Sequence, residues 1–401
     1  MQENPSEAPH CRPMVNSEMG QFSRTTALVA GRISCTFAAT DVVVTNATVD
    51  SFSGSGASYQ VGITTTGAGD VTISVPAEVS QDGAGNLNNA SNVLSLVNAT
   101  VEDTEEAIAQ FLLTRARQLM AHQPDVVGFL RGGPAGGSLS VTRQVSGTNL
   151  SFDSRMDGDV WSKLTASVTE TDTSRSDYVF GVVGSHRKIN EDFLIGGMLQ
   201  FDRVNQVDGA LKTSGTGWLA GPYFAMKVND QPLYVDGRLL AGKSSNTVSP
   251  FGTYEDEFET SRLLAQVNVT GELHHAQITW LPVLGVSYLK DSQEAYVDGL
   301  GNSIAASTLE MTEISLGLHF EKALPRARGT LELTGGFGLR KASTRNSGGV
   351  STDSDSLRGR IDLGLAQHNG RGGSFDISGF IDGLGRNSQT LGLEVGVGLQ
   401  F

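Results

Sequence analysis

The chain has 401 residues, with 49 Gly, two Cys, and 43 acidic against 29 basic side chains, which gives a formal net charge of −14. This charge argues against a nucleic-acid partner, because a phosphate-binding surface needs clustered Lys and Arg. Two cysteines are too few for a disulfide scaffold or a cysteine-based zinc site, and no apolar run of about 18 residues predicts a transmembrane helix.

Residues 1–35 show no pattern of a folded element. Residues 1–24 are polar and contain Pro5, Pro9 and Pro13. The apolar stretch that follows is interrupted by Arg32, so it lacks the unbroken apolar core of a signal peptide. We predict that 1–35 is disordered and belongs to a truncated or misassigned N-terminus.

Residues 36–98 predict a small β domain. β-Branched residues alternate in short segments that are separated by Gly, Ser and Asp turns. The strings Asn46–Tyr59, Val71–Val75 and Gln81–Asn86 resemble the bacterial immunoglobulin-like repeats of surface adhesins, without the first strands of such a repeat. The resemblance implies a partial Ig-like domain that is a passenger of adhesive function.

Few residues in the chain suggest chemistry. Asp82, Asn86 and Asn88 are weak candidates for calcium ligands, and the alternative is a loop that uses Asn, Asp and Gly for positive φ. Gly215–Ala220 matches a loose dinucleotide fingerprint, but it lies in an alternating strand with no helix after it. Gly-x-Ser-x-Gly, His-Glu-x-x-His and Cys-x-x-Cys are absent from the sequence. We therefore predict neither an enzyme nor a cofactor.

Residues 99–156 predict a linker helix and a connecting segment. Thr100–Asp103 fits a capping box, and acidic residues precede basic ones in the order that suits the helix dipole. Apolar residues recur at helical spacing until Pro124. Residues 123–156 suggest a small hairpin around Gly147. The helix residues predicted to lie inside a barrel are Ile108, Phe111, Leu112, Arg115, Arg117 and Leu119.

Residues 157–401 contain twelve long segments in which apolar residues alternate with small or polar ones. Short connections alternate with longer polar ones, which is typical of an outer-membrane barrel. The prediction is an all-β membrane protein: a twelve-stranded, antiparallel, up-and-down transmembrane β-barrel. In the last strand one face carries Leu391, Leu393, Val395, Val397, Leu399 and Phe401.

The polar face of the predicted barrel is expected to line a wet lumen. The charged residues assigned to it are Arg340, Arg358, Arg360, Asp362, Asp376 and Glu394. Arg115 and Arg117 of the helix are expected to meet Asp362, Asp376 or Glu394. Interfacial aromatic girdles are expected to include Trp161, Trp218, Trp280, Tyr223 and Tyr288.

A polar-capped helix, twelve amphipathic strands and the ending Leu391–Phe401 together resemble the autotransporter translocator domain of type V secretion. The resemblance implies a helix in the barrel lumen and an N-terminal passenger at the cell surface. The ending is similar to the signal that the outer-membrane barrel-assembly machinery reads. It therefore implies this machinery and outer-membrane lipid as partners, with an unknown host or surface ligand for the passenger.

The expected function is a monomeric translocator and anchor in the bacterial outer membrane that exports and displays the Ig-like passenger. Two alternatives stay open. One is a stand-alone outer-membrane channel or barrel hydrolase, with residues 100–156 as a periplasmic appendage. The other is a soluble, secreted β-adhesin.

Overall fold

The computed structural model describes two compact units. The first comprises residues 1–105, 249–256 and 296–304, and the second comprises the remainder. No helix in the described part is long and apolar enough to cross a membrane. The described residues are 14–18, 25–30, 37–55, 58–66, 69–81, 85–96, 99–131, 136–144, 147–156, 160–171, 174–252, 254–325, 330–348, 354–368, 373–384 and 390–399.

The first unit contains seven short strands before the helix. One sheet has the order β1-β2-β5-β4 and the other has the order β3-β6-β7. A 3-10 turn, Ala39–Asp41, precedes β3. The strands are β1 Met14–Glu18, β2 Thr25–Ala30, β3 Val43–Thr45, β4 Ala47–Ser55, β5 Ser58–Thr65, β6 Val71–Ser74 and β7 Leu94–Leu96.

The two small sheets share one apolar core. Val61 and Ile63 of β5 and Val71 and Ile73 of β6 are buried together, because alternate residues of each strand point to the same side. The prediction of disorder for residues 1–35 differs from the structure in part. Strands β1 and β2 lie in this range and extend the sheet through pairing with β5.

We expect Ile73→Val to lower the free energy of unfolding of this unit by about 0.5–1.5 kcal/mol. Ile73 is completely buried in the apolar core, so the lost methylene leaves a small void. Limited proteolysis of the full chain with rising temperature measures the change. Val93→Ala, at an exposed position, is the control; equal effects of the two substitutions would contradict the core assignment.

Two helices follow, α1 Thr100–Ala121 and α2 Gly128–Arg131. The α1 helix begins with the Asp103 N–H donating to the Ala99 carbonyl at 2.8 Å, and its first turn is acidic, as the helix dipole favours. Asp125 Oδ1 accepts from the N–H of Val127 at 3.0 Å and of Gly128 at 3.3 Å. This carboxylate therefore caps the start of α2.

The remaining strands form one large sheet and a two-stranded pair, β18-β19. The bounds are β8 Gly136–Gln144, β9 Gly147–Met156, β10 Val160–Thr171, β11 Ser174–Asn190, β12 Phe193–Asp208, β13 Leu211–Lys227, β14 Leu233–Ser249, β15 Asp256–Gly271, β16 Leu273–His275, β17 Ile278–Gln293, β18 Tyr296–Val297, β19 Ser303–Ile304, β20 Ser307–Pro325, β21 Thr330–Ser347, β22 Ser354–His368, β23 Gly373–Leu384 and β24 Thr390–Leu399.

The pairing order of the large sheet returns to its start. The order runs from β15 through β14, β13, β12, β11, β10, β9, β8, β24, β23, β22, β21 and β20 to β17 and the short β16, and β15 also pairs with β17. The β15–β17 register runs from Thr260↔Gln293 to Thr270↔Val283. Fourteen of the strands therefore have a hydrogen-bonded neighbour on both sides.

The strand count differs from the predicted twelve, because the large sheet contains fifteen described strands. The twelve predicted segments correspond to β10–β15, β17 and β20–β24. Strand β16 is a three-residue addition, and β8 and β9 come from the segment predicted as a connection. Their hairpin lies around Gly147 as predicted, but β8 pairs with β24 and β9 with β10, so both join the sheet.

The connections define two ends of the sheet. We call the end with the connections 191–192, 228–232 and 369–372 the turn end, and the end with 250–255 and 294–306 the loop end. Two of the longer polar connections predicted at the loop end are short in the structure. Only two residues join β10 to β11, and two join β12 to β13, because the strands extend into the predicted connections. The eight strands β11–β15, β17, β20 and β21 have 16–19 residues, which exceeds the ~9–11 that cross a bilayer.

Candidate functional site

The two sides of the large sheet differ in chemistry. On β12, Leu194, Gln200 and Asp202 are buried, whereas Ile195 and Phe201 are exposed. The same alternation continues on other strands, and exposed apolar residues of the outer side include Leu164, Val183, Trp218, Leu239, Val267, Val286, Leu316, Phe337, Leu363 and Ile381. An exposed apolar surface of this extent indicates contact with a membrane or a partner.

The opposite side of strands β10–β15 packs against α1, and we call it the helix-facing side. Of the residues predicted to lie inside a barrel, Ile108, Phe111, Leu112, Leu119 and Arg115 are all buried, with at most 1% exposure. Phe111 contacts Phe258 of β15 edge to face, with ring centroids 6.4 Å apart. The side chain of Arg117, also predicted to lie inside a barrel, is exposed.

Four charged residues form a buried cluster between α1 and the sheet. Arg115 Nε donates to Asp202 Oδ2 at 2.6 Å, and Arg262 Nη1 donates to Asp202 Oδ1 at 2.7 Å. Arg262 Nε also lies 3.2 Å from Asp291 Oδ2. We call Arg115, Asp202, Arg262 and Asp291 the buried charge cluster. Its formal charges cancel, which is the condition for stable burial of ions away from water.

The buried charge cluster connects the helix to several strands. Asp202 lies on β12, Arg262 on β15 and Asp291 on β17, and Arg115 Nη1 also donates to Asn246 Oδ1 of β14 at 2.5 Å. The side chain of Arg115 is therefore held by strands that lie far from α1 in the sequence. The sequence predicted Asp362, Asp376 or Glu394 as partners, but the structure pairs Arg115 with Asp202; the side chains of Asp376 and Glu394 lie outside the described residues.

Two glycines of β13 make room for this cluster. A Cβ atom at Gly217 would lie 2.6 Å from Arg115 Nη2, 2.6 Å from Arg262 Nη1 and 3.0 Å from Asp202 Oδ1. At Gly215 it would lie 2.8 Å from Arg115 Nη1. The loose dinucleotide fingerprint at these positions thus has a packing explanation: only glycine lets the guanidinium groups approach the strand.

A second set of contacts fixes the end of α1. The side-chain amide of Gln123 donates to Gln200 Oε1 at 3.2 Å and accepts from Gln200 Nε2 at 2.9 Å. Lys163 Nζ donates to the carbonyl oxygen of His122 at 3.2 Å. These contacts involve β10 and β12, so α1 contacts the helix-facing side close to both the charge cluster and the turn end.

An aromatic cluster lies beside these contacts. Trp161 Nε1 donates to Tyr223 Oη at 2.6 Å, and Tyr223 Oη lies 3.0 Å from His186 Nδ1. Phe129 of α2 packs on both Trp161 and His186. The prediction that Trp161 and Tyr223 belong to interfacial girdles is wrong, because both rings are buried. Trp218 does lie on the outer side, as a girdle residue should.

The charges predicted for the lumen lie on a different set of strands. Arg340 of β21 and Arg358, Arg360 and Asp362 of β22 alternate with exposed apolar residues such as Ile361, so they share the helix-facing side. Arg340 Nη1 lies 3.9 Å from Glu313 Oε1. Arg360 Nε lies 3.9 Å from Asp362 Oδ1. These ion pairs are longer than those of the buried charge cluster.

A polar cavity of about 480 Å³ separates this wall from the helix. It reaches from Asp125 and Arg131, next to the end of α1, to Glu313 and Arg340. Its described lining holds five carboxylates and three guanidinium groups, which are Asp125, Asp236, Glu313, Glu321, Asp362, Arg131, Arg238 and Arg340.

The C-terminal strand β24 carries part of the predicted assembly signal. Leu391 and Leu393 are exposed on the outer side, and Val395 is half-buried. Val397 and Leu399 lie within β24, but their side chains, together with Phe401, lie outside the described residues. The outward orientation of Leu391 and Leu393 agrees with the predicted apolar face.

Asn88, one of the candidate calcium ligands, binds the backbone of its own loop. Asn88 Oδ1 accepts from the N–H groups of Val79 and Ser80, both at 2.9 Å, and its Nδ2 donates to the Pro76 carbonyl at 2.7 Å. Asn88 therefore organises the loop. Asn86 is exposed, and Asp82 lies outside the described residues. Within the described ranges no group of three or more His, Cys, Asp or Glu is placed to hold a metal.

The second turn of α1 contacts the connection between β14 and β15. Thr104 Oγ1 and Tyr254 Oη lie 3.4 Å apart. Burial raises the pKa of the Tyr254 hydroxyl above its ordinary value. The helix therefore begins among residues of the loop end.

Similar solved structures include the translocator domain of autotransporter NalP from Neisseria meningitidis, at 19% identity over 76% of this chain and 100% of that chain, with a TM-score of 0.45. The transport unit of autotransporter AIDA-I from Escherichia coli is 12% identical over 75% of this chain and 99% of that chain, with a TM-score of 0.44. No curated protein matches the chain.

The sequence also matches the family model described as "Autotransporter beta-domain" over residues 160–379, more than half of the chain. This range contains all strands from β10 to β22 and most of β23. The chain belongs to the autotransporter beta-domain family.

Proposed function

We propose that this chain is an outer-membrane translocator and anchor that exports its N-terminal unit and displays it at the bacterial cell surface. Membership of the autotransporter beta-domain family supports the translocator role. The observation that carries the mechanism is the ion pair between Arg115 of α1 and Asp202 of β12, buried on the side opposite the apolar surface. A helix held there is a tether and a plug.

In this proposal the large sheet is a closed barrel of fourteen strands with α1 in its lumen. The cyclic pairing order supports closure, which satisfies every backbone group inside a bilayer. Eight-stranded barrels are filled by their own side chains, whereas 16–18 strands leave an aqueous channel. Fourteen strands lie between these cases, so the lumen admits one helix of ~10 Å diameter.

The helix direction supports surface display. Because Thr104 of α1 lies beside the loop-end residue Tyr254, and Arg131 after α1 pairs with Glu272 and Glu321 toward the turn end, the chain before α1 leaves the barrel at the loop end. In outer-membrane barrels the longer loops face the outside of the cell. Residues 1–98 then form the passenger, and their two small sheets with a shared core suit an Ig-like adhesive domain.

The export mechanism is physical. The outer apolar side chains hold the barrel in lipid, and the strand ending with Leu391 and Leu393 presents an apolar face to the barrel-assembly machinery. After export, the buried charge cluster retains α1, so the passenger stays attached and most of the lumen is blocked. Lipid, the assembly machinery and a surface ligand of the passenger are the proposed partners of a monomer.

Outer-membrane fractionation followed by detergent gel electrophoresis tests the barrel. We expect the chain in the membrane fraction, with faster migration before boiling than after it, because a closed barrel stays compact in detergent. Extraction without detergent, or one mobility at both temperatures, would overturn the barrel and favour a soluble adhesin.

Deletion of residues 100–130 distinguishes a plugged translocator from a stand-alone channel. We expect single-barrel conductance in planar bilayers to rise strongly on deletion, because α1 packs against β10–β15 and fills the lumen beside them. The heat-modifiable gel shift is the folding control. Unchanged conductance of a folded deletion variant would favour a channel with these residues as an appendage.

A further inference from the structure

We infer that the plugged barrel is not sealed: a charged aqueous path runs beside α1, along β17 and β20–β22, and passes small cations in preference to anions. This inference rests on the proposed barrel and goes beyond the translocator role. It adds a resting ion permeability to a domain whose exported segment is already in place.

The path follows from the position of α1, which packs closely against some strands of the proposed barrel and leaves a cavity beside the others. The contacts of α1 described above involve β10, β12, β14 and β15, including the fully buried Arg115–Asp202 pair. The cavity of about 480 Å³ lies against β17 and β20–β22, and residues of β14 and β15 complete its lining: Asp236, Arg238, Gln266, Asn268 and Thr270. At ~30 Å³ per molecule, this volume corresponds to roughly fifteen waters, enough for a hydrated path.

The cavity extends toward both ends of the strands. At the turn end it is lined by Arg131, which makes half-exposed ion pairs at 3.5 Å with Glu272 and Glu321. Toward the loop end it reaches Arg340, whose side chain is 43% exposed. The cross-strand partner of Arg340 is Arg358, which is 37% exposed and lies near the first residue of β22. Solvent therefore reaches the guanidinium groups above the cavity.

The charge of the lining determines the favoured ion. Five carboxylates face three guanidinium groups in the described lining of the cavity, so the wall carries a net negative charge. Arg238 is 5% exposed and its Nε has no hydrogen-bond partner among the described residues, which leaves a buried donor for water in this space. Acidic linings concentrate cations and exclude anions at such short range.

Planar-bilayer recordings of the full chain across a KCl gradient test the inference. We expect a small, steady conductance whose reversal potential is shifted from zero toward the equilibrium potential of potassium. Glu313→Gln removes a negative charge from the lining and shifts the reversal potential toward chloride. Arg340→Gln removes a positive charge and shifts it further toward potassium. Lys341→Gln, one residue away on the exposed outer side, leaves it unchanged.

Opposite shifts from Glu313→Gln and Arg340→Gln in barrels that retain their heat-modifiable gel shift support the path. No current from the full chain, when the deletion of 100–130 conducts, would show that α1 seals the lumen and would overturn the inference while the translocator proposal stands. A current whose selectivity ignores both substitutions would also overturn it. Equal conductance with and without residues 100–130 would instead contradict the proposed plug.

Discussion

Asp202→Ala should release the helix from the barrel wall and raise the conductance toward that of the helix-deleted barrel. The substitution leaves Arg115 without its 2.6 Å partner and Arg262 with Asp291 alone, at side-chain exposures of 0% for both arginines. Breaking a buried ion pair by removing one partner costs about 3–5 kcal/mol, because an uncompensated charge stays buried. Ejection of α1 relieves this cost, since Arg115 then reaches water.

Planar-bilayer conductance and the temperature at which the gel shift disappears measure the effect of Asp202→Ala. Asp177→Asn is the matched control, since this carboxylate pairs with Arg175 at 3.2 Å on an exposed surface, where ion pairs contribute little. The double variant Asp202→Ala with Arg115→Met should recover much of the lost stability, because it removes both charges of the pair. If Asp202→Ala resembles the control in both measurements, the cluster does not retain the helix.

Gly217→Val should also displace α1, through volume rather than charge. Its first added carbon would lie within 2.6 Å of Arg115 Nη2 and Arg262 Nη1, so both guanidinium groups must move away from Asp202. Overpacking of a closed site typically costs about 1–3 kcal/mol, and here the displaced groups are charged and buried. We expect increased conductance together with an earlier loss of the gel shift on heating.

Gly181→Val is the control for strand effects. A Cβ atom at Gly181 makes only an ordinary contact of 3.8 Å with Leu164 Cδ1, on the outer side of β11. Valine suits a strand, so this barrel should conduct and migrate as the parent does. Equal behaviour of Gly217→Val and Gly181→Val would mean that the space beside Arg115 tolerates a side chain, contrary to the packing described.

The amphipathic strands and the long helix could be predicted because their periodicity is local. Ile361, Leu363 and Leu365 alternate with Arg360 and charged or small neighbours, and this pattern needs no knowledge of partners. The helix α1 ends at Ala121, shortly before the predicted stop at Pro124, because its capping residues and Pro124 are local signals as well. The family resemblance then supplied the expected order of helix and strands.

The partner of Arg115 could not be predicted, because pairing depends on which strands meet the helix. Asp202 alternates with apolar residues of β12 and was recognisable as a residue of the polar side, but so were many other carboxylates. The strand register and the position of α1 determine which of these carboxylates pairs with Arg115. Gly217 was equally ambiguous: in the sequence it belongs to a Gly-x-Gly string, and only the folded arrangement shows that it faces two guanidinium groups.

The position of β8 and β9 in the large sheet has a different cause. Their residues are mostly Gly, Ser, Thr and Asn, and of these Gly and Asn are depleted in strands, so the local preference for a strand is weak. They become strands because β24 and β10 present unpaired backbone groups on either side of the hairpin. Backbone pairing with β10 and β24 thus decides that this predicted hairpin belongs to the large sheet.

The pairing of β8 with β24 has a consequence for the order of assembly. Gln144 and Thr390 are opposite each other in the β8–β24 pair, whose hydrogen bonds join the first and last strands of the large sheet in chain order. Contacts between positions so remote in sequence form late, after the intervening chain has lost its freedom. The β8–β24 pairing is then the last step in closing the proposed barrel. Because α1 precedes β8 in the chain, with α2 between them, the helix of the proposed barrel is either in place when this pairing forms or is inserted afterwards from one end.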